Sequence, residues 1–176
     1  MTTKDKIDLY KQFKAEYAAK KGKPSIVETT AAPYLIVDGT CAPGEAEFED
    51  KVGGLYGMAY TMKLMSKANG QDYGVCKLEG LYGVNGQRAD ELLNIPKEEW
   101  NWRLMIRVPD FTRKEDLDAA REQLRSKGKE GDFDSVQLET IHEGKCVQVL
   151  HVGSYANEHE SIAYEPTCST CTHFPS

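Results

Sequence analysis

The stretch that decides the fold is Trp100-Asn101-Trp102-Arg103-Leu104-Met105-Ile106-Arg107-Val108, in a chain of 176 residues. Apolar and polar side chains alternate along it, which predicts a β-strand with one apolar face. Both tryptophans of the protein, Trp100 and Trp102, lie on that face because they are two residues apart. Two indoles on one face are typical either of a packed core, where each N–H needs a partner, or of an aromatic wall for a flat ligand.

Length and charge limit the class of protein. A chain of 176 residues can form one domain, or two small fused modules, with a sizeable core. The 22 basic and 28 acidic residues give a net charge of −6, which argues against nucleic acid as a partner. No apolar run is long enough to span a membrane and the N-terminus has no signal-peptide core, so we expect a cytoplasmic protein without a membrane partner.

The sequence predicts neither a metal site nor a cofactor. Five cysteines, an odd number, fit a reducing compartment. Cys168 and Cys171 have CxxC spacing and His173 follows, but no second pair of ligands has the spacing of a zinc site. The phosphate-loop, dinucleotide, zinc-protease and serine-hydrolase motifs are all absent from the sequence.

Apolar periodicity predicts an alternation of helices and strands. We expect helices over residues 4–22, 45–68, 88–93, 114–127 (with Thr112 as the N-cap) and from 156 to 163, and strands over residues 25–38, 73–81, 100–108, 135–141 and 146–152, the last two as a hairpin. Gly53, Gly54 and Gly57 interrupt the long helix, and their cost there predicts close approach of a strand or a ligand. Tyr56 and Tyr60 lie one turn apart beside these glycines.

Glu79 is the acidic residue that the pattern singles out, because it lies within an otherwise apolar predicted strand. It shares a face of that strand with Val75, Lys77 and Leu81. A carboxylate in this position either faces solvent, where an ion pair with Lys77 contributes little, or lies in a pocket, where it attracts a cation or moves a proton. The residues alone leave both interpretations open.

Five segments carry a family resemblance: YLIVDG at 34–39, LYGMAY at 55–60, LEGLY at 78–82, EEWNWR at 98–103 and CVQVLHVGSY at 146–155. Over about residues 5–163 the chain resembles the stand-alone GyrI-like small-molecule-binding proteins. The resemblance implies an α+β fold class, with duplicated βαββ modules, an antiparallel sheet and long helices on one face. Residues 1–24 would be a helical extension, 25–163 the GyrI-like domain and 164–176 an atypical tail.

The resemblance also implies a ligand cleft between the modules, lined by aromatic side chains, with Glu79 facing it near Tyr56 and Trp102. The ligand-binding residues carried over in this way are Tyr56, Tyr60, Glu79, Tyr82, Trp100, Trp102 and Tyr155. An aromatic box with one acid suits aromatic or cationic small molecules, so drug sensing or sequestration is the first expectation. Relatives that hydrolyse the cyclopropane of DNA-alkylating natural products imply the alternative, an enzyme in which Glu79 orients water and Tyr56 donates a proton.

The chain departs from the family pattern after residue 163. Pro166 would end the helix that begins near Glu158, and the family's final helix and hairpin have no counterpart. The second module is therefore expected to be incomplete and to expose apolar sheet surface, which a homodimer or the folded-back tail would cover. A non-catalytic protein-interaction module is accordingly the third interpretation.

Overall fold

The structure is a computed structural model, and it describes residues 6–21, 23–83 and 95–153. The helices in these ranges are α1 (Leu9–Gln12), α2 (Lys14–Tyr17), α3 (Ala46–Ala68) and α4 (Lys114–Ser126), with a 3-10 turn at Lys97–Glu99. The strands are β1 (Ser25–Glu28), β2 (Ala32–Thr40), β3 (Glu79–Gly83), β4 (Asn101–Arg107), β5 (Gln137–Ile141) and β6 (Lys145–Gln148). No helix among these described residues is both long and apolar enough to cross a bilayer.

An antiparallel sheet of order β3-β4-β2-β5 forms the centre of the fold. β4 lies inside this sheet, and its predicted apolar face is confirmed, since Trp102, Leu104 and Ile106 are buried on it; Met105 and Arg107 on the other face are buried as well. Leu104 pairs with Val37 of β2, so the apolar faces of the two strands coincide. The α+β class with an antiparallel sheet is thereby confirmed.

Helices α3 and α4 cover this apolar face of the sheet. Met58 and Met62 of α3 and Leu117 and Leu124 of α4 share one core cluster with Leu104 of β4. α4 begins at Lys114 as predicted, but its N-cap residue is Arg113 and not Thr112. The carboxylate of Asp116 accepts a hydrogen bond from the Arg113 backbone N–H at 2.8 Å, which satisfies one donor of the first helical turn.

The N-terminal segment differs from the single helix predicted over residues 4–22. It forms the two short helices α1 and α2, with Phe13 between them at φ −110° and ψ 36°. The Phe13 ring lies against the guanidinium of Arg107, 3.8 Å from ring centroid to Cζ. This tertiary contact, made on the side of the sheet away from α3, prevails over the helical periodicity of the segment.

Two predictions about the strands are wrong, one on where a strand begins and one on which strands pair. β3 begins at Glu79, so residues 74–78 precede the strand. The segments around 135–141 and 146–152 do not form a hairpin, because β5 pairs with β2 whereas β6 pairs with β1 in a separate two-stranded sheet. The turn between β5 and β6 is hydrogen-bonded to the segment that follows β1, since the Thr29 N–H donates to the Gly144 carbonyl oxygen at 2.8 Å. The helices predicted over 88–93 and 156–163 lie outside the described residues.

The glycines of α3 make room for a loop rather than for a strand or a ligand. A β-carbon on Gly54 would lie 2.6 Å from the carbonyl oxygen of Asp132, and one on Gly57 would lie 2.9 Å from the Phe133 ring. Both partners belong to the connection between α4 and β5. Gly53 has open space around it, so its lack of a side chain serves no packing contact.

Two glycine substitutions test this packing. Gly39 of β2 pairs with Trp102, and a β-carbon there would overlap the buried indole ring. We expect Gly39→Ala to lower the free energy of unfolding by about 1–3 kcal/mol, as overpacking does in cores. The matched control Gly53→Ala should instead raise it by about 0.5–1 kcal/mol, because alanine is favoured over glycine in a helix. Urea denaturation followed by tryptophan fluorescence measures both, and a Gly39→Ala protein of unchanged stability would contradict the predicted overlap.

Candidate functional site

Arg107 is a buried charge at the end of β4, only 2% exposed, on the face of the sheet away from α3. A guanidinium without partners is strongly unfavourable in such a place. Its Nη1 donates to Glu16 Oε2 at 2.7 Å and to the Tyr17 hydroxyl oxygen at 3.4 Å, and its Nη2 donates to Thr30 Oγ1 at 3.4 Å. The Phe13 ring stacks over it. Burial opposes the charge, but the bonds to Tyr17 and Glu16 raise the pKa of Arg107 above its ordinary value.

Glu79 lies on the same face of the sheet and is 5% exposed. The Tyr17 hydroxyl donates to Glu79 Oε1 at 3.1 Å. A phenol has a single hydrogen, and the Tyr17 oxygen already accepts from Arg107, so that hydrogen is directed at the carboxylate. The three side chains form a hydrogen-bonded series that runs from Arg107 through Tyr17 to Glu79.

The phenols around this series are held in the neutral form. Burial raises the pKa of Tyr10 to about 12, and burial followed by the negative charge of Glu79 raises the pKa of Tyr17 and Tyr34 above the ordinary value. The same two causes raise the pKa of the Cys76 thiol to about 12. Each of these groups keeps its proton over the whole physiological pH range, and the Tyr17 hydroxyl uses its proton to donate to Glu79.

The sheet divides the predicted site residues into two groups. Tyr82 pairs with Trp102 on the face that α3 covers, and its ring lies 6.0 Å from the ring of Trp100. Glu79 pairs with Met105, on the opposite face. The expectation that Glu79 lies beside Trp102 is therefore wrong, because β3 places residues of odd and even position on opposite faces.

Both indole N–H groups have backbone partners. Trp102, 2% exposed, donates to the Cys41 carbonyl oxygen at 3.1 Å and packs against the Phe48 ring. Trp100 donates to the Ile95 carbonyl oxygen at 3.2 Å. These contacts are those of core tryptophans, the first of the two interpretations that the sequence left open. A ligand-binding role for either residue stays a prediction.

The remaining predicted residues fall in three places. The Tyr56 hydroxyl accepts from the Leu78 N–H at 3.2 Å, so it supports the segment that leads into Glu79. Tyr60 stacks on Tyr56 but is 55% exposed. Tyr155 lies outside the described residues, as do Cys168 and Cys171. Within the described ranges no group of three or more His, Cys, Asp or Glu side chains could hold a metal ion.

Comparisons with known proteins find relatives of the chain among solved structures. No protein-family model and no curated protein matches it. Solved structures do: an uncharacterized conserved protein from Listeria innocua is 34% identical, with a TM-score of 0.81 over 90% of this chain and 78% of that one. Two structures of a hydrolase from Listeria innocua are also 34% identical, with TM-scores of 0.79 and 0.77 over 90% of this chain and 78% and 77% of theirs. The chain therefore belongs to the same family as these Listeria innocua proteins.

The sequence analysis did not predict that the N-terminal segment contributes to the candidate site, through the contacts of Phe13, Glu16 and Tyr17. Tyr10, Phe13 and Tyr17 have the spacing of a helix that faces a core, so the periodicity predicted apolar packing for them and no contact with polar groups. Arg107 lies on what the alternation predicts to be the polar face of β4. The one available signal was the second arginine of that strand, Arg107, placed four residues after Arg103 beside strongly apolar neighbours.

The raised pKa values of the buried tyrosines predict how the stability of the protein depends on alkaline pH. Below pH 10.0, the ordinary phenol value, both folded and unfolded chains hold the protons; between 10.0 and about 12 the unfolded chain has released the Tyr10 proton and the folded chain has not. The free energy of unfolding should therefore fall as pH rises above about 10. Urea unfolding on both sides of this pH measures the slope. Tyr17→Phe should make the slope shallower because it removes a phenol whose pKa is raised by burial; an equal slope in Tyr17→Phe and in the unsubstituted protein would refute the assignment.

Proposed function

We propose that the chain is a GyrI-like hydrolase that adds water to strained electrophiles, such as the cyclopropane ring of DNA-alkylating natural products. The observation that carries this proposal is the buried Glu79 carboxylate that accepts the Tyr17 hydroxyl hydrogen at 3.1 Å. A carboxylate and a neutral phenol in direct contact are a base and an acid held together. The hydrolase from Listeria innocua, 34% identical to this chain, supports the same reaction class.

The proposed reaction adds water across one carbon–carbon bond of a cyclopropane that is conjugated to a carbonyl group. Glu79 takes a proton from water as the water oxygen bonds to a ring carbon. The bond from that carbon to its ring neighbour breaks, and its electron pair moves into the carbonyl, whose oxygen takes the Tyr17 proton. Proton transfer from Glu79 to Tyr17 along their 3.1 Å hydrogen bond restores both groups. One water is consumed and no redox partner is needed.

Within this proposal we assign the proton donor to Tyr17 and not to Tyr56. Tyr56 uses its oxygen to accept from the Leu78 backbone, one residue before Glu79. Tyr10 accepts from the Lys77 N–H at 2.7 Å in the same way. These two tyrosines fix the backbone that presents the carboxylate, whereas Tyr17 contacts the carboxylate itself.

Substitution of the acid and of the phenol tests the reaction. We expect Glu79→Gln to abolish turnover of a cyclopropane-bearing electrophile while binding is kept, and Tyr17→Phe to lower kcat by about 10²–10⁴-fold, the usual contribution of acid–base catalysis. Product formation by mass spectrometry and affinity by calorimetry measure the two effects. The matched control is Glu139→Gln, at an acid paired with Arg103 on the same sheet face, which should leave turnover unchanged. Full activity in Glu79→Gln would refute the mechanism.

A second candidate function is the binding of aromatic cations without chemistry, for sensing or sequestration. One observation favours it: Arg107 shows that this face holds a cation between a carboxylate, Glu16, and the aromatic ring of Phe13. If binding is the function, Glu79→Gln should weaken cationic ligands by about 1–3 kcal/mol, the range of hydrogen bonds to charged groups. Calorimetry with an aromatic cation and a neutral analogue of the same shape measures it, and equal losses for both ligands would exclude a role for the charge.

A further inference from the structure

Residues 13–17, which we call the N-terminal strap, have little internal support for their position. α2 within the strap has no fully buried residue, its Glu16 and Tyr17 being partly buried, and the one fully buried residue of α1 before it is Leu9. Helices of this length are not stable by themselves. The place of the strap is therefore determined by contacts with the rest of the chain.

Three side chains of the strap contact one residue of the sheet, and Thr30 holds Glu16 as well, since its N–H and hydroxyl donate to Glu16 Oε1 at 3.3 and 2.8 Å. Phe13, Glu16 and Tyr17 all contact the guanidinium of Arg107, through a stacked ring, an ion pair at 2.7 Å and a hydrogen bond at 3.4 Å. The Glu16 backbone is also held, since Gln148 Nε2 donates to its carbonyl oxygen at 2.6 Å. The Glu16–Arg107 pair is shielded from water on both sides, with side chains 11% and 2% exposed, so solvent screens it little.

Arg103 offers an internal comparison, because it lies four residues earlier on the same face of β4. Its partners are Asp38 at 2.7 Å and Glu139 at 3.0 Å, which belong to the neighbouring strands β2 and β5. Arg103 thus connects strands of the sheet to one another. Arg107 connects the sheet to the strap.

We propose that Arg107 is a positioning residue: it holds the strap against the sheet so that the Tyr17 hydroxyl is directed at Glu79. This inference rests on the proposed hydrolytic function of the same site. A guanidinium suits the task because its plane stacks on Phe13 while its N–H groups donate outward to Glu16 and to Tyr17. An ammonium at the same position could not do both.

Limited trypsinolysis of the full chain tests the anchor without any substrate. Lys14 lies inside the strap and is exposed, but cleavage after it requires the strap to leave the sheet. We expect Arg107→Ala to speed this cleavage by about tenfold or more, because proteolysis follows the population of the open form. Methylguanidinium at millimolar concentration should restore protection, and methylammonium should not. The control Arg103→Ala should be cleaved after Lys14 at the wild-type rate.

Kinetics with the cyclopropane substrate separate positioning from mere folding. We expect Arg107→Ala to lower kcat more than it raises KM, with kcat recovered by methylguanidinium. If Arg107→Ala does not fold, the double variant Phe13→Leu/Glu16→Gln removes the same contacts from the strap and should give the same cleavage and kinetics. Unchanged cleavage after Lys14 in a folded variant, or a loss confined to KM, would overturn the inference. Faster, guanidinium-reversible cleavage in a protein without hydrolytic activity would instead refute the proposed function and leave the anchor standing.

Discussion

The buried guanidinium of Arg107 is the constraint on which the rest of the candidate site depends. A charge at 2% exposure needs partners, and the carboxylate that pairs with it is Glu16 of the N-terminal segment. Glu16 supplies the charge, and it does so from a segment 91 residues earlier in the chain. Removal of one partner of a buried pair leaves an uncompensated charge, which typically costs about 3–5 kcal/mol. The N-terminal segment is thereby tied to the face of the sheet that carries Glu79.

The two faces of the central sheet have different surroundings: one packs against the long helices, and the other carries Glu79 and Arg107. On one face, Trp102, Leu104 and Ile106 of β4 join α3 and α4 in an apolar core. On the other, the same strand contributes Met105 and Arg107 beside Tyr34 of β2. Because one strand supplies both faces, side chains two residues apart share an environment and adjacent ones do not. A carboxylate can therefore be buried among phenols without disturbing the core behind it.

The phenols make this second face chemically unusual. Burial raises the pKa of Tyr10, and burial together with the charge of Glu79 raises the pKa of Tyr17 and Tyr34. Each of them stays protonated next to an acid that is itself 5% exposed. Such an arrangement keeps one hydrogen-bond donor, the Tyr17 hydroxyl, in direct contact with a buried carboxylate.

Local patterns were enough to predict the central strand and the two long helices, but not every element of the fold. The alternation in 100–108 identified β4, and apolar spacing identified the α3 and α4 helices to within one or two residues, because both periods depend only on near neighbours in sequence. Glu79 was singled out as an acid in an apolar strand, and it is buried. The contacts of that acid were decided by tertiary structure alone. Which strand β6 pairs with, which face Glu79 shares, and whether residues 9–17 form one helix or two all depend on partners far away in the chain. Arg107 is the clearest case: its position in β4 follows from the sequence, but its burial follows from Glu16 and Phe13, whose approach no local pattern encodes.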